Sequence, residues 1–163
     1  MKVVLVYDAR ASSPPCDDLP EDFDAEYDDE ATIQALLGAI EACGHEALGL
    51  ALGEDFAHEI RRLDPGIVFN IAEGVRGTSR ESIVPAWLDH LGIPYTGSDG
   101  LTLAVSLDKA LTKTLLAARG LRTLAFRRVR DESELEGIEL GFPLFVKPNG
   151  EGSSMGIRVS SLV

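Results

Sequence analysis

Apolar and polar positions along this chain follow two alternating periods. Val3, Val4, Leu5 and Val6 form a continuous apolar run, which predicts a buried strand over residues 3–7. Residues 8–29 hold Pro14, Pro15 and Pro20 and keep no period, so they read as a loop. Ile33, Leu36, Leu37 and Ile40 then recur at helical spacing, with Asp28 or Asp29 placed to cap the helix and Gly44 to stop it. A second strand is predicted over 47–52, a short helix over 56–63, and a third strand over 67–71 after the turn Asp64-Pro65-Gly66. Thr78 and Glu81 fit a capping box, and Ile83, Val84, Trp87, Leu88 and Leu91 line one face of a helix that Gly92 ends. Alternation of this kind, with short connections, predicts an α/β domain: a doubly wound parallel sheet with helices on both faces. In such a domain ligands sit at the carboxyl ends of the strands, which puts Asp8 onward and Ala72-Glu73-Gly74 at the rim.

The remaining third has a different grain. Ser106 is placed to cap a helix whose buried stripe would be Leu107, Ala110, Leu111, Leu115 and Ala118, with Lys109 and Lys113 on another face and Gly120 as the stop. Residues 124–130 alternate like a half-exposed strand, 132–136 suit a short helix, and two strands are expected to flank a glycine-rich loop. A few short strands backed by one helix make a thin layer with little core. The chain therefore divides into a doubly wound domain, residues 1–100, and the start of a second, α+β domain, residues 101–163.

Composition narrows the partners. The net charge is −12, but residues 17–30 hold nine acidic side chains and no basic one, so the rest of the chain carries only −3. With no basic stripe to neutralise phosphate backbones or anionic headgroups, nucleic acid and membrane are not expected as partners, and small molecules are. The longest apolar runs, such as 47–52, are too short to cross a bilayer, and no secretory signal is apparent, so a cytoplasmic protein is expected. Cys16 and Cys43 are too few for a disulfide framework, and Cys43, on a packed helix, reads as core. A homodimer is compatible with the sequence.

The densest chemistry lies in Gly141-Phe-Pro-Leu-Phe-Val-Lys147-Pro-Asn-Gly-Glu151-Gly-Ser153-Ser154-Met155-Gly156. A short apolar strand, with Phe145 and Lys147 on the same face, delivers one lysine into a glycine-rich loop bearing hydroxyls. Loop N–H groups and the Ser153 and Ser154 hydroxyls can converge on phosphate oxygens, the alternative being a hairpin turn with a snorkelling lysine. Lys109 and Lys147 can hold a polyphosphate only where the fold brings them together; otherwise Lys109 is a surface lysine. Glu73, Arg76, Arg80 and Glu81 form a mixed-charge loop between a strand and a helix, suited either to a ligand or to surface ion pairing. Glu26, Asp28 and Glu30 alternate as oxygen ligands do, but without the glycine of a tight calcium loop, so no metal ligand is assigned.

Four segments in order carry a resemblance: Val68-Phe69-Asn70-Ile71-Ala72-Glu73-Gly74; Leu91-Gly-Ile-Pro-Tyr-Thr-Gly-Ser98; Leu107-Asp108-Lys109-Ala-Leu-Thr-Lys113; and Phe142-Pro-Leu-Phe-Val-Lys147-Pro with Glu151-Gly-Ser-Ser154. Together they resemble the D-alanine–D-alanine ligase family of the ATP-grasp superfamily, and the likeness is to its N-terminal portion. The resemblance implies a pre-ATP-grasp domain followed by the beginning of the ATP-binding region. It implies that Lys109 and Lys147 contact nucleotide phosphates, that Glu151, Gly152, Ser153, Ser154 and Met155 form the loop covering them, and that Ser153 also joins the network organising the substrates. In such ligases ATP phosphorylates the carboxylate of a first amino acid, and the amine of a second attacks the acylphosphate, with Mg2+ offsetting phosphate charge.

Two departures bear on the substrate. Where the family carries a glycine-rich segment with a glutamate after the first strand, this chain has Asp8-Ala-Arg-Ala-Ser-Ser-Pro-Pro and the acidic loop, in which Glu26 is the nearest substitute for binding the substrate ammonium. Where the family often has His-Gly after the third strand, this chain has Glu73-Gly74. The expectation is a cytoplasmic ATP-dependent carboxylate–amine ligase of peptidoglycan precursor synthesis acting on D-alanine, inactive as the present portion. A relative using other amino acids or peptides, and a nucleotide-binding module without chemistry, are the alternatives. The Mg2+ ligands are expected beyond residue 163.

Overall fold

A computed structural model describes residues 1–10, 22 and 25–163; Cys16 and much of the acidic run lie outside the described residues. The described chain divides into two compact units, Met1–Ala104 and Val105–Val163.

In the first unit β1 (Lys2–Tyr7), β2 (Glu46–Ala51) and β3 (Ile67–Asn70) form a parallel sheet in the order β2-β1-β3. The register pairs Val4 with Leu48 and with Val68, which puts the most apolar strand in the centre, where both its faces are covered. The helices are α1 (Glu30–Ala42), α2 (Phe56–Leu63) and α3 (Ile83–Leu91). Val4, Val6, Leu50 and Val68 pack with Phe56 and Ile60 of α2 and Val84 and Leu88 of α3. Val3 and Leu5 point to the other face by the two-residue period, where Gly49 lies against Tyr7 and Leu37 of α1. The doubly wound expectation is met, with α1 on one face and α2 and α3 on the other.

Caps account for most boundaries. Asp29 begins α1 by accepting from the Thr32 N–H at 2.6 Å, and Gly44 and Gly92 take left-handed conformations just past α1 and at the end of α3. Where a Thr78–Glu81 capping box was expected, Arg80–Ser82 forms a 3-10 turn with Ser79 at its N-cap, leading into α3. Cys43, expected in the core, is the C-cap of α1 and is exposed.

A helix not anticipated, α4 (Gly100–Leu107), follows Asp99, whose carboxylate accepts from the Thr102 N–H at 2.7 Å. Ser106 therefore lies inside α4, and the cap of the next helix, α5 (Lys109–Ala118), is Asp108. Of the stripe expected to be buried, Leu107 is buried at the end of α4 and Ala110 is half-buried, whereas Leu111, Leu115 and Ala118 on α5 are exposed. Residues 124–130 form no strand, although the Lys113 ammonium donates to the Leu124 carbonyl and sits 5.4 Å from the Phe126 ring centroid. Around the glycine loop the expected strands reduce to a bridge between Phe145 and Leu162, supported by backbone bonds between Leu144 and Val163 and from Val146 to Ser161. The described residues supply no neighbouring strand to extend this ladder, and a pair so short does not propagate. No helix among the described residues is long and apolar enough to cross a membrane.

Candidate functional site

Functional side chains gather at one place in each unit. In the first, β1 ends at Tyr7, just before Asp8, and β3 at Asn70, so the segments leaving the two strands emerge side by side. The Asp8 carboxylate accepts from the Glu73 and Gly74 N–H groups, both at 2.7 Å, tying the two exits together. Its own N–H donates to Asp28 at 3.0 Å, and Asp28 N–H returns a bond to the Asp8 carbonyl, which brings residues 25–28 to the same rim. Burial pushes the Asp8 carboxyl above its ordinary range, against the pull of the Gly74 and Glu73 N–H groups. Asp28 is raised as well, chiefly by burial.

Gly74 has φ +74°, and a Cβ there would lie 2.8 Å from the Arg80 carbonyl oxygen, so only glycine lets the loop close on itself. Arg80 points inward and meets Glu26: Nη2 lies 3.0 and 2.9 Å from the two carboxylate oxygens and Nε 3.2 Å from one of them. The two side chains are only 7% and 6% exposed. Glu73 stands beside this pair, half-buried, and is pushed up to about 7 by burial first, then by the charges of Glu26 and Glu81, a hydrogen bond with Glu26 and the charge of Asp8. Of the residues singled out from the sequence, the fold thus joins Glu26, Glu73 and Gly74. Asp8 and Arg80 complete the cluster.

The raised Glu73 has a stability consequence. The folded state holds this proton more tightly than the unfolded chain, so its contribution is complete below pH about 4.5 and is lost as pH rises through about 7. The urea midpoint is expected to fall between pH 5 and pH 8 in the native chain, and to fall less in Glu73→Gln. A midpoint that rises over that range, or an identical fall in the variant, would refute the assignment.

In the second unit the N-terminus of α5 and the glycine loop are stitched together. Asp108 accepts from the Leu111 N–H at 2.9 Å, the Asn149 carbonyl accepts from the Lys109 N–H at 3.0 Å, and the Asn149 side chain accepts from the Ala110 N–H at 2.9 Å. The Leu111 N–H first and the Asn149 side chain next hold the Asp108 carboxyl below its ordinary value by hydrogen bonding to its charged form. The Lys109 ammonium donates to the Glu151 carbonyl, so the lysine reaches the loop. Lys147 is exposed, and its ammonium lies 5.2 Å from the Phe145 ring centroid. Ser153 and Ser154, both exposed, take φ of +43° and +62°, which costs a non-glycine residue on the order of 1–2 kcal/mol. The loop turns back through Gly152 to Met155 and Ser154 to Ile157 backbone bonds, and a Cβ on Gly156 would lie 2.7 Å from Pro148. Asn149 is the member that sequence reasoning passed over; its place between a Lys-Pro strand end and a glycine was the available signal.

No His, Cys, Asp and Glu grouping among the described residues is arranged to hold a metal ion.

No family model matches the chain. It is 36% identical over 129 residues to the D-alanine–D-alanine ligase of Gluconobacter oxydans, covering 77% of this chain and 42% of that protein. It is 39% identical over 127 residues to that of Marinobacter nauticus, covering 77% of this chain and 38% of the relative. Among solved structures, the D-alanine–D-alanine ligase of Bacillus anthracis aligns with a TM-score of 0.64 at 24% identity, covering 97% of this chain and 48% of that one. The same enzyme complexed with ATP aligns with a TM-score of 0.58 at 23% identity, covering 98% and 51%. The chain thus spans about two fifths of the length of these sequence relatives. Its α/β fold matches the N-terminal portion of D-alanine–D-alanine ligase structures, and its homology to these ATP-grasp ligases is to that portion only.

Proposed function

We propose that this chain supplies the amino-acid pocket and part of the nucleotide-phosphate surface of an ATP-dependent carboxylate–amine ligase that joins two D-alanine molecules for peptidoglycan precursor synthesis. The observation that carries the reading is the Lys109 ammonium donating into the Glu151-Gly-Ser-Ser loop. A lysine at a helix start, a second lysine at Lys147 and a pliant loop with N–H and hydroxyl donors suit a polyphosphate. In this reading residues 1–100 are the pre-ATP-grasp domain and 101–163 the beginning of the ATP-binding domain. Lys109 and Lys147 contact the phosphates, while Glu151, Gly152, Ser154 and Met155 cover them. Ser153 joins the substrate network, and Glu26, Glu73 and Gly74 line the amino-acid pocket.

The pocket's work is positional. In this reading the carboxyls of the first unit orient the first amino acid, and the loop of the second unit covers the phosphates and keeps water from them. Mg2+, entering with the nucleotide, would offset phosphate charge; the described residues include no donor set for it, and no residue here is assigned to it. The enzyme is proposed to be cytoplasmic, and a homodimer is compatible with it.

With about two fifths of a relative's length, this chain alone is expected to release no phosphate from ATP with D-alanine. The same chain extended to a relative's full length is expected to release phosphate only when both are present. Turnover by the present chain would overturn the first expectation; an extended chain that ignores D-alanine but accepts another amine would favour a second substrate class. That second reading is favoured by Glu73, whose carboxyl stands at about 7 where the family often places a histidine.

A further inference from the structure

Glu26 was the sequence's nearest candidate for the substrate ammonium, but its environment argues for a different division of labour. Both its oxygens accept from the Arg80 guanidinium, and both side chains are nearly sealed from solvent. An ammonium could reach Glu26 only by displacing a buried, charge-paired partner, and breaking such a pair leaves an uncompensated charge inside. Glu73 keeps partial access to solvent and is faced by Glu26, Glu81 and Asp8, with Arg80 as the cation of the group. Arg80 itself is fixed by its backbone, whose carbonyl packs directly against Gly74 next to Glu73.

We propose that Arg80 is a positioning residue that locks Glu26 in place, so that Glu73, braced against Glu26, is the carboxyl presented to an amino-acid ammonium. The cross-link joins residues 25–28 to the loop after β3, which Asp8 also clamps through the Glu73 and Gly74 N–H groups. Calling the pocket a substrate site rests on the ligase reading; the lock between Arg80 and Glu26 does not.

The test is a carboxyl-carbon NMR titration of this chain labelled at glutamate. In Arg80→Gln the Glu26 side-chain carboxyl resonance should move, because both its oxygens lose the guanidinium they are paired with, whereas Arg80→Lys should restore part of the native position. If Arg80→Gln does not fold, Glu26→Gln serves instead: losing the neighbouring negative charge should lower the Glu73 midpoint. An unmoved Glu26 in folded Arg80→Gln, or an unmoved Glu73 in Glu26→Gln, overturns the lock. D-alanine, then a panel of other amino acids, is added to the native chain. A shift of the Glu73 resonance without one of Glu26 supports the division of labour, and a shift of Glu26 alone overturns it. If no amino acid moves either signal while the Arg80 variants behave as expected, the pocket reading and the role given to Glu73 fail and the lock stands.

Discussion

Lys109→Ala is expected to weaken ATP binding about 10- to 100-fold, since a hydrogen bond to a charged group contributes about 1.5–3 kcal/mol. The side chain leaves the first turn of α5, where Asp108 and Asn149 fix the backbone on either side of it, so its ammonium is aimed before any ligand arrives. Its partner, the Glu151 carbonyl, belongs to a half-buried loop that water can reach, so losing that one bond should leave the fold intact. Lys113→Ala is the control. That lysine, four residues on, donates to the Leu124 carbonyl and covers Phe126, and its loss should change ATP affinity less than about threefold. Titration calorimetry with ATP decides the matter: equal affinities for native chain and Lys109→Ala would remove Lys109 from the phosphate site. A uniform loss in both variants would point to general electrostatics instead.

How much of this was legible depended on whether a residue's role was local. β1, α1, β2, α2, β3 and α3 follow from runs and periods of neighbouring residues, and α2 falls on the expected residues because Phe56, Ile60 and Leu63 share one face. The start of α5 was placed at a Ser106 cap rather than at Asp108 because the apolar pattern already includes Leu107. Only the Asp108 carboxylate bonding forward to Leu111 marks it, and an aspartate suits a first turn as well as a cap. The strand expected at 124–130 failed for a reason no local pattern carries. Alternation states that a strand could form, whereas a ladder needs a neighbour, and the described residues provide none.

The site divides the same way. Glycines, serines and lysines near each other in sequence made the loop conspicuous, and the rim rule put Asp8 and Glu73 at strand ends. Asp8 accepting two N–H groups some 65 residues away was not readable, nor was the burial of Arg80 against Glu26, 54 residues apart. A mixed-charge loop is normally solvated, and it took the tight approach at Gly74 to turn one of its arginines inward.

That approach makes Gly74→Ala the substitution with the largest expected cost to the fold. A left-handed φ alone penalises alanine by about 1–2 kcal/mol. Gly77, in the same loop with φ +97° and open space where its Cβ would go, should show just this cost. At Gly74 the new methyl would also meet the Arg80 carbonyl oxygen at 2.8 Å and its carbon at 3.1 Å; these are backbone atoms that cannot rotate away. Relief requires moving either the Gly74 N–H from Asp8 or Arg80 from Glu26, and breaking a buried ion pair by itself costs about 3–5 kcal/mol. Partial adjustment of both should bring the total to about 3–4 kcal/mol, clearly more than the Gly77→Ala value, when both variants are compared by urea denaturation at pH 7. Equal losses at the two glycines would mean that the loop yields freely and that the Asp8, Gly74 and Arg80 clamp holds nothing in place. A Gly74→Ala loss that falls to the Gly77→Ala value in an Arg80→Gln background would show that the excess acts through the ion pair, because only coupled sites depart from additivity.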